Sequence, residues 1–387
     1  MEGGVLGRND SFQAGGPPGV RKPHIAETIA FVDGLPGCGK TLFSPIVGTF
    51  DRLELMQPSY IVEFVCELHT LDRIPDDAAH VLIRMVTDLQ LYNGVMGREA
   101  NLRFDDLSGV WSNANVLEHL SRLVRGGDAR VMDRIDRDRP ILNLFTHFLL
   151  GKGGRVVFEA LGPRARFIEI VRHPLYMIKQ QFMYMPRWGA DRRDFAVCFQ
   201  GDGQMLPWWA YGMEEEYVRA GLMDRVILMI RKHHRRVVEN LNALPESCRS
   251  QIVTIPFERF VLDPWPYLHQ VETLLGTTVT KRTSRELRKQ NVPRKMYAEG
   301  IGLKIYRESG WQPPKGKTEA DEFAIRREFA AQHASDAGMA MLDALSAEYE
   351  AQYLNGDSTD PYPRSFESPA LGPGVSSAQT GRPAPTP

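Results

Sequence analysis

Short apolar runs alternate with longer amphipathic patterns along this chain. The short runs predict strands at residues 25–32, 166–171 and 251–255, with weaker candidates at 129–132 and 141–144. Apolar residues at helical spacing predict helices at residues 75–95, 115–124, 175–185, 223–242 and 264–275. Strands separated by helices favour a parallel sheet. The predicted fold class is therefore α/β, with a central parallel sheet flanked by helices in three layers.

The residues after the first predicted strand form a phosphate-loop motif. GLPGCGKT at residues 34–41 fits the spacing G-x-x-x-x-G-K-[ST] at every position, and residues 42–50 can start a helix. A glycine-rich turn between a strand and a helix directs backbone N–H groups and the positive end of the helix dipole at an anion. The sequence therefore predicts a P-loop-like phosphate site, and the loop by itself indicates ATP or GTP.

Composition limits the partners and the compartment. The chain has 387 residues and a formal net charge of −1, whereas general nucleic-acid binders are usually strongly basic, so we expect no nucleic-acid partner. No apolar run approaches the ~20 residues of a membrane span, and the first residues lack the apolar segment of a secretory signal. The four scattered cysteines show no C-x-x-C spacing, which favours reduced thiols and a cytoplasmic location.

The two ends of the chain differ in composition from the rest. Residues 1–22 are rich in Gly and Pro, and residues 355–387 are dense in Pro, Ser and Gly, with little to bury. We therefore predict two disordered tails around a single α/β domain at residues 23–354.

A second anion site is indicated where another predicted strand ends. Residues 166–171 (RFIEIV) are followed by Arg172-His173-Pro174 and then by a helical pattern. Ligands of open α/β sheets bind outside the carboxyl ends of the strands. An arginine there is well placed to bind a second phosphate through its two-pronged guanidinium. The alternative is a structural arginine that pairs with a local acid such as Glu169.

Together these motifs resemble those of the sulfotransferases that use 3′-phosphoadenylyl sulfate (PAPS). The chain resembles a bacterial-type member of that family. Thr146-His147, shortly before Arg172, resembles the family's strand that ends in Thr-His. Residues 255–264 (IPFERFVLDP), followed by a helix that ends in LLG, resemble a further block of the family. The resemblance spans about residues 26–295.

The resemblance implies roles for individual residues. His147 is the expected general base, Lys40 stabilises charge on the leaving group, and Glu63 and Glu67 are the backup bases. PAPS is the expected co-substrate, released as 3′,5′-adenosine diphosphate, and no metal is expected. The residues expected to bind PAPS are Gly34, Pro36, Gly37, Cys38, Gly39, Lys40, Thr41, Arg172, Gln180, Phe257, Arg294 and Lys295.

Four positions depart from the family pattern. Gly37 stands where many members have Lys or Arg after the loop proline, and Gln180 stands where a serine commonly follows the second arginine. Phe145 replaces a frequent Lys before Thr-His, and Leu42 replaces an aromatic after the loop. The acceptor is a compound with a free hydroxyl, for which we expect a saccharide or glycolipid because aromatic residues and arginines recur at residues 68–115 and 182–217.

Two other functions stay open at this point. A P-loop NTPase or small-molecule kinase would use ATP and magnesium, with Glu159 or Asp133 as the acid that holds the metal. The departures at Gly37 and Gln180 also allow an inactive nucleotide-binding scaffold.

Overall fold

The computed structural model of the protein describes residues 17–104, 106–113, 115–124, 130–192, 194–201, 203–297, 316 and 318–355. Most of the two predicted tails, residues 1–16 and 356–387, lies outside these ranges. Within the predicted N-terminal tail, Arg21 donates to Asp88 at 2.6 Å and the amide of Gly19 donates to Asp77 at 2.8 Å. Packing contacts therefore begin before residue 23.

A five-stranded parallel sheet forms the centre of the molecule, in the strand order β2-β3-β1-β4-β7. The strands of this sheet are β1 (Ile29–Asp33), β2 (Gln57–Pro58), β3 (Leu142–Phe145), β4 (Ala165–Val171) and β7 (Ile252–Pro256). A separate antiparallel pair is formed by β5 (Cys198–Gly201) and β6 (Gln204–Pro207). The predicted α/β fold with a central parallel sheet is confirmed.

Helices connect the strands and cover both faces of the sheet. In chain order they are α1 (Lys40–Val47), α2 (Tyr60–Thr70), α3 (Asp76–Met96), α4 (Val116–Arg122), α5 (Val131–Asp138), α6 (Leu149–Leu161), α7 (Pro174–Tyr184), α8 (Glu214–Arg219), α9 (Leu222–Ala243), α10 (Glu246–Arg249), α11 (Phe257–Leu262), α12 (Trp265–Leu275), α13 (Lys281–Lys289), α14 (Glu319–Ala331) and α15 (Asp336–Tyr349). Within the described ranges, none of these helices combines the length and apolarity needed to cross a membrane.

The core lies on both sides of β1, whose five residues are all buried. Ala30 and Val32 face a cluster shared with α1, α7, α9 and α12, while Ile29 and Phe31 face a cluster shared with α2, α3 and α6. Phe31 also stacks on Phe167 of β4, with 4.8 Å between ring centroids. Burial on both faces explains why β1 is continuously apolar in sequence.

One weak strand prediction is wrong. The strand predicted at residues 129–132 overlaps helix α5, which spans residues 131–138. Residue 129 lies outside the described ranges. Val131 and Ile135 are its buried residues, one helical turn apart, and charged residues fill the remaining positions. This spacing places both apolar side chains on one face of a helix. The first strand is also shorter than predicted, since it begins at Ile29.

The order of the strands places three loops next to one another. β1 lies between β3 and β4 in parallel register, so the residues after Asp33, Phe145 and Val171 leave the sheet at the same edge. These are the phosphate loop, the Thr146-His147 pair and the Arg172-His173-Pro174 turn, which the sequence could not place relative to one another.

Candidate active site

The loop between β1 and α1 has the backbone of a phosphate cradle. Gly34, Gly37 and Gly39 adopt positive φ angles of 134°, 92° and 107°, a region that favours glycine. A Cβ at Gly39 would lie 2.2 Å from the Phe257 ring, and one at Gly34 would lie 2.3 Å from the carbonyl of Ile170. Glycine is therefore required at both positions by conformation and by space.

Lys40 begins α1 and is buried under the loop. Its Nζ donates to the carbonyl of Gly34, and the same Nζ lies 5.3 Å from the centre of the Phe145 ring. Thr41 follows it and lines the cavity described below. Both side chains at the end of the motif thus lie at the helix N-terminus, where an anion is favoured.

Cys38 contributes packing and backbone to the loop. Its amide donates to the carbonyl of Leu35 at 3.1 Å, and its side chain is buried against a small cavity behind the loop. Burial raises the pKa of the Cys38 thiol to about 11, so the thiol is unreactive. The neighbouring Pro36 carbonyl accepts a hydrogen bond from the side chain of Gln181, which ties α7 to the loop.

Arg172 leaves β4 and turns towards the phosphate loop. Its Nη1 donates to the carbonyl of Gly37 at 2.9 Å, and its guanidinium lies 4.3 Å from the centre of the Phe257 ring. The acid nearest to it is Glu258, with 4.0 Å between Arg172 Nε and the carboxylate. Burial raises the pKa of Glu258, and Arg172 offsets part of this rise. Glu258 therefore positions this arginine, the role that the sequence had suggested for Glu169.

The remaining predicted cofactor residues divide into two groups. Gln180 lies against the loop, since a Cβ at Gly37 would be 3.1 Å from its Oε1. The Arg294 guanidinium lies 5.8 Å from the Phe257 ring, and all of these side chains line the same cavity as Arg172. Lys295 is exposed and does not line this cavity. The structure thus brings Arg294 to the site without its neighbour.

His147 is held by a buried network of charged residues. Glu63 Oε1 accepts from the His147 amide at 3.1 Å and lies 3.2 Å from His147 Nδ1. Glu63 Oε2 accepts from Lys152 Nζ at 2.6 Å, and the same Nζ lies 2.5 Å from Glu67 Oε1. The other oxygen of Glu67 accepts from the Val197 amide at 3.1 Å. The two predicted backup bases are therefore parts of one network with His147.

The pKa values in this network assign different tasks to its members. Burial raises the pKa of Glu63, but Lys152 and His147 together bring it down to about 2, so Glu63 is an anion and a weak base. Burial also raises the pKa of Glu67, which Lys152 offsets only in part. Burial lowers the pKa of His147, and Glu63 offsets part of this effect. His147 is therefore neutral at pH 7, with Glu63 as its fixed partner.

Asp33, at the end of β1, fixes the turn that carries His147. Its carboxylate accepts from the Thr146 hydroxyl and from the amides of Leu149 and Leu150, each at 2.8 Å. Glu169 stands beside Asp33 in the β1–β4 register. Burial and the adjacent Asp33 raise the pKa of Glu169 well above its usual value. It is thus engaged with Asp33 and not with the arginine of the second anion site.

A single cavity of about 930 Å³ joins these parts. Its lining includes the phosphate loop, the arginine from β4 and His147, whose side chain is about 30% exposed. The lining also includes aromatic and apolar side chains: Tyr60, Phe64, Leu107, Tyr184, Trp188, Phe195, Trp208 and Trp209. The cavity thus combines an anion cradle, a neutral imidazole and aromatic side chains.

No protein-family model and no curated protein matches the chain. The solved structures similar to it include sulfotransferases. The sulfotransferase domain of the Synechococcus PCC 7002 olefin synthase is 15% identical, with a TM-score of 0.33, over 80% of this chain and 97% of that chain. A sulfotransferase from Alicyclobacillus acidocaldarius is 15% identical, with a TM-score of 0.31, over 85% and 97%. Sulfotransferase STF9 from Mycobacterium avium is 11% identical, with a TM-score of 0.37, over 86% and 78%.

The acids proposed for a magnesium site lie elsewhere. Glu159 is on α6, where its carboxylate accepts from Arg155 at 2.8 Å and lies 3.3 Å from His80. Asp133 is on the first turn of α5 and is exposed. Neither residue lines the cavity that contains the phosphate loop.

Sequence reasoning missed two basic residues of this cavity. Lys152 lies on α6 and reaches the two glutamates of α2, and Arg326 enters the cavity from α14. The spacing of Glu63 and Glu67, one helical turn apart beside apolar residues, is a signal for a shared buried cation. Nothing in the sequence around Arg326 indicated its place, because α14 is brought to the site only by tertiary packing.

Proposed function

We propose that this protein is a PAPS-dependent sulfotransferase that transfers the sulfuryl group of PAPS to a hydroxyl acceptor. The observation that carries the proposal is the single cavity in which the phosphate loop, Arg172 and the His147–Glu63 pair meet. A sulfuryl donor with phosphates at both ends of a nucleoside needs two anion sites and, at the reacting end, a base for the acceptor.

The residues present fit such a donor. The loop's left-handed glycines and the N-terminus of α1 suit the 5′-phosphosulfate. Arg172, held between Phe257 and Glu258, suits the 3′-phosphate, and Phe257 and Arg294 suit the adenosine between the two anions. PAPS supplies a sulfuryl group already joined to a good leaving group, so the protein mainly aligns the reactants and stabilises charge.

His147 is the proposed general base. Its Nδ1 faces Glu63, which favours the tautomer with the proton on Nδ1 and leaves Nε2 to accept the proton of the acceptor hydroxyl. The Glu63 carboxylate then stabilises the imidazolium that forms, as an oriented anion beside the ring. Lys40, which donates to the Gly34 carbonyl and lines the same cavity, is proposed to stabilise negative charge on the bridging oxygen of the donor.

The acceptor is proposed to be a saccharide or the headgroup of a glycolipid. The cavity contains exposed aromatic side chains: Tyr60 and Phe195 are 48% and 70% exposed, and the Tyr60 ring stacks on the His147 ring with 6.0 Å between ring centroids. Aromatic faces pack well against the apolar faces of sugar rings. Trp188, which packs edge-on to the buried Trp209 at 4.3 Å, lines the same cavity.

We further propose a single catalytic domain at residues 23–354 that works in the cytoplasm. The four cysteines, all within the described ranges, are unpaired. Free thiols suit a reducing compartment, and PAPS chemistry requires no disulfide.

Ligand-induced stabilisation tests the first step of the proposal. A ligand that binds only the folded state raises the apparent melting temperature by mass action. We expect 3′,5′-adenosine diphosphate to stabilise the protein with or without magnesium. Stabilisation by ATP that requires magnesium, without any response to the bisphosphate, would instead identify the NTPase or kinase.

Sulfate transfer tests the second step. Radiolabelled PAPS is offered with a panel of saccharides, glycolipids and phenols, and labelled products are separated by chromatography. Arg172→Ala should lose about 100-fold in bisphosphate affinity, as expected for the loss of a charge-assisted contact. His147→Ala should keep this affinity and lose turnover. Binding without transfer to any acceptor would favour the inactive scaffold.

A further inference from the structure

Helix α14 adds a wall to the cavity that the motif resemblance does not cover. It begins at Glu319, beyond the residues 26–295 that resemble sulfotransferases, and packs along α7. Phe329 of α14 contacts Phe182 of α7, with 5.6 Å between ring centroids, and Lys179 Nζ lies 4.3 Å from the centre of the Phe329 ring. These contacts hold one face of α14 against α7, the helix whose Tyr176 lies beside Arg172.

Arg326 is the basic residue that α14 presents there. Its guanidinium lies 4.3 Å from the centre of the Tyr176 ring, and the guanidinium of Arg172 lies 5.2 Å from the same ring. Both arginines line the cavity, with side chains that are 12% and 13% exposed. Two arginines from distant parts of the chain therefore flank a single phenol ring and line the same cavity.

Further charged groups surround the two arginines. Burial and, secondly, the positive charge of Arg326 lower the pKa of Lys179, on the same helix as Tyr176, to about 8. Carboxylates also lie near the arginines: Glu322 is 3.5 Å from Arg326, and Glu258 is 4.0 Å from Arg172. Two guanidiniums that line one cavity favour an anion of charge −2.

We propose that Arg326 binds the 3′-phosphate of the nucleotide together with Arg172. It thereby makes the protein select nucleotides that carry a 3′-phosphate over those that do not. This inference rests on the proposed function, because it takes the second anion of the cavity to be the 3′-phosphate. It assigns to α14 a part of cofactor specificity that the sequence motifs do not contain.

Calorimetric titration with two nucleotides tests the inference. We compare 3′,5′-adenosine diphosphate with adenosine 5′-monophosphate, which lacks the 3′-phosphate, on the full chain. Arg326→Gln should weaken bisphosphate binding about 10- to 100-fold and leave monophosphate binding unchanged. Arg326→Lys, which keeps the charge and loses the planar fork, should show a smaller loss of the same kind.

Arg327→Gln is the matched control. Arg327 is the next residue of α14, is half exposed, and pairs with Asp343 at 2.6 Å away from the cavity. It should keep both affinities. Circular dichroism confirms that each variant is folded before titration.

Each outcome has one meaning. If the native protein does not bind the bisphosphate, the proposed function fails. If it binds, but the folded Arg326 variants lose both affinities equally or lose neither, the proposed function stands and the role of Arg326 is refuted.

Discussion

Replacing Glu63 by glutamine separates the two candidate bases. The substitution keeps the shape of the side chain and removes its charge. In the native protein, Glu63 Oε1 lies 3.2 Å from His147 Nδ1 and 3.1 Å from the His147 amide nitrogen. Burial lowers the pKa of His147, and the Glu63 carboxylate opposes this effect. Loss of the carboxylate charge should therefore lower the pKa of His147 further.

The sign of the effect on rate follows from the state of the imidazole. His147 accepts a proton only when it is neutral, so the acid limb of kcat/KM follows its pKa in the free enzyme and lies below the usual histidine value of 6.5. In Glu63→Gln this limb should move to lower pH. At pH 7 the imidazolium that forms during reaction loses a charge-assisted hydrogen bond of about 1.5–3 kcal/mol. We therefore expect kcat/KM to fall by about 10- to 150-fold.

Two measurements check this prediction. NMR titration of the His147 ring protons gives its pKa in the free protein and needs no acceptor. Transfer of labelled sulfate from PAPS, measured from about pH 5 to 9 with an acceptor from the panel, gives the acid limb and the rate. Glu159→Gln is the control, because Glu159 also lies beside a histidine, 3.3 Å from His80, but outside the cavity. It should leave kcat/KM unchanged.

Two results would refute this prediction. If His147→Asn keeps turnover while Glu63→Gln abolishes it, Glu63 is the base and His147 is its supporting partner. An acid limb that moves to higher pH in Glu63→Gln would refute the electrostatic argument, even if the rate falls as expected.

Two other substitutions test the structural supports of the site. Lys152→Met leaves two buried glutamates without their cation, and should lower the free energy of unfolding by about 3–5 kcal/mol in urea titrations. Lys289→Met breaks an exposed pair and should cost less than about 1 kcal/mol; equal losses would contradict the importance of burial. Gly39→Ala, at a φ of 107° and with its Cβ 2.2 Å from the Phe257 ring, should abolish thermal stabilisation by 3′,5′-adenosine diphosphate. Gly276→Ala, at a φ of 61° with open space around it, should keep that stabilisation, and its loss there would show that any left-handed glycine is critical.

Local patterns sufficed for the parts of the site that lie at strand ends. The phosphate loop was predicted because its glycines, lysine and flanking elements are consecutive in the chain. Arg172 was predicted because it follows a strand, and ligands of open α/β sheets bind outside the carboxyl ends of the strands. His147 was predicted from the resemblance of Thr146-His147 to a sulfotransferase motif. The α/β fold followed from the same alternation of strands and helices.

Partners that meet only through tertiary packing were not predictable. Glu63 and Glu67 were identified as alternatives to His147, whereas the structure joins all three through Lys152, which lies 89 residues from Glu63. Arg326 reaches the cavity because α14 packs on α7, and no local pattern encodes that contact. The helix at residues 131–138 was mistaken for a strand because its apolar positions are few and charged residues separate them.

Two departures from the sulfotransferase pattern have physical explanations in the structure. The chain has Gly37 in place of a basic residue after the loop proline, and Phe145 in place of a lysine before Thr-His. In the structure a single cation, Lys40, reaches both neighbourhoods, because its Nζ donates to a loop carbonyl and lies 5.3 Å from the Phe145 ring. A lysine at position 145 would place a second positive charge roughly 5 Å from Lys40, a repulsion of about 3 kcal/mol at an effective dielectric constant of about 20. The aromatic ring instead offers its negative face to the ammonium.

Gly37 has a φ of 92°, and its carbonyl accepts a hydrogen bond from Arg172. A residue with a side chain, such as Lys or Arg, would be strained in this conformation. Phe145 therefore suits the placement of the loop cation at position 40, and Gly37 suits the turn that meets Arg172, so restoring a basic residue at either position should weaken the site.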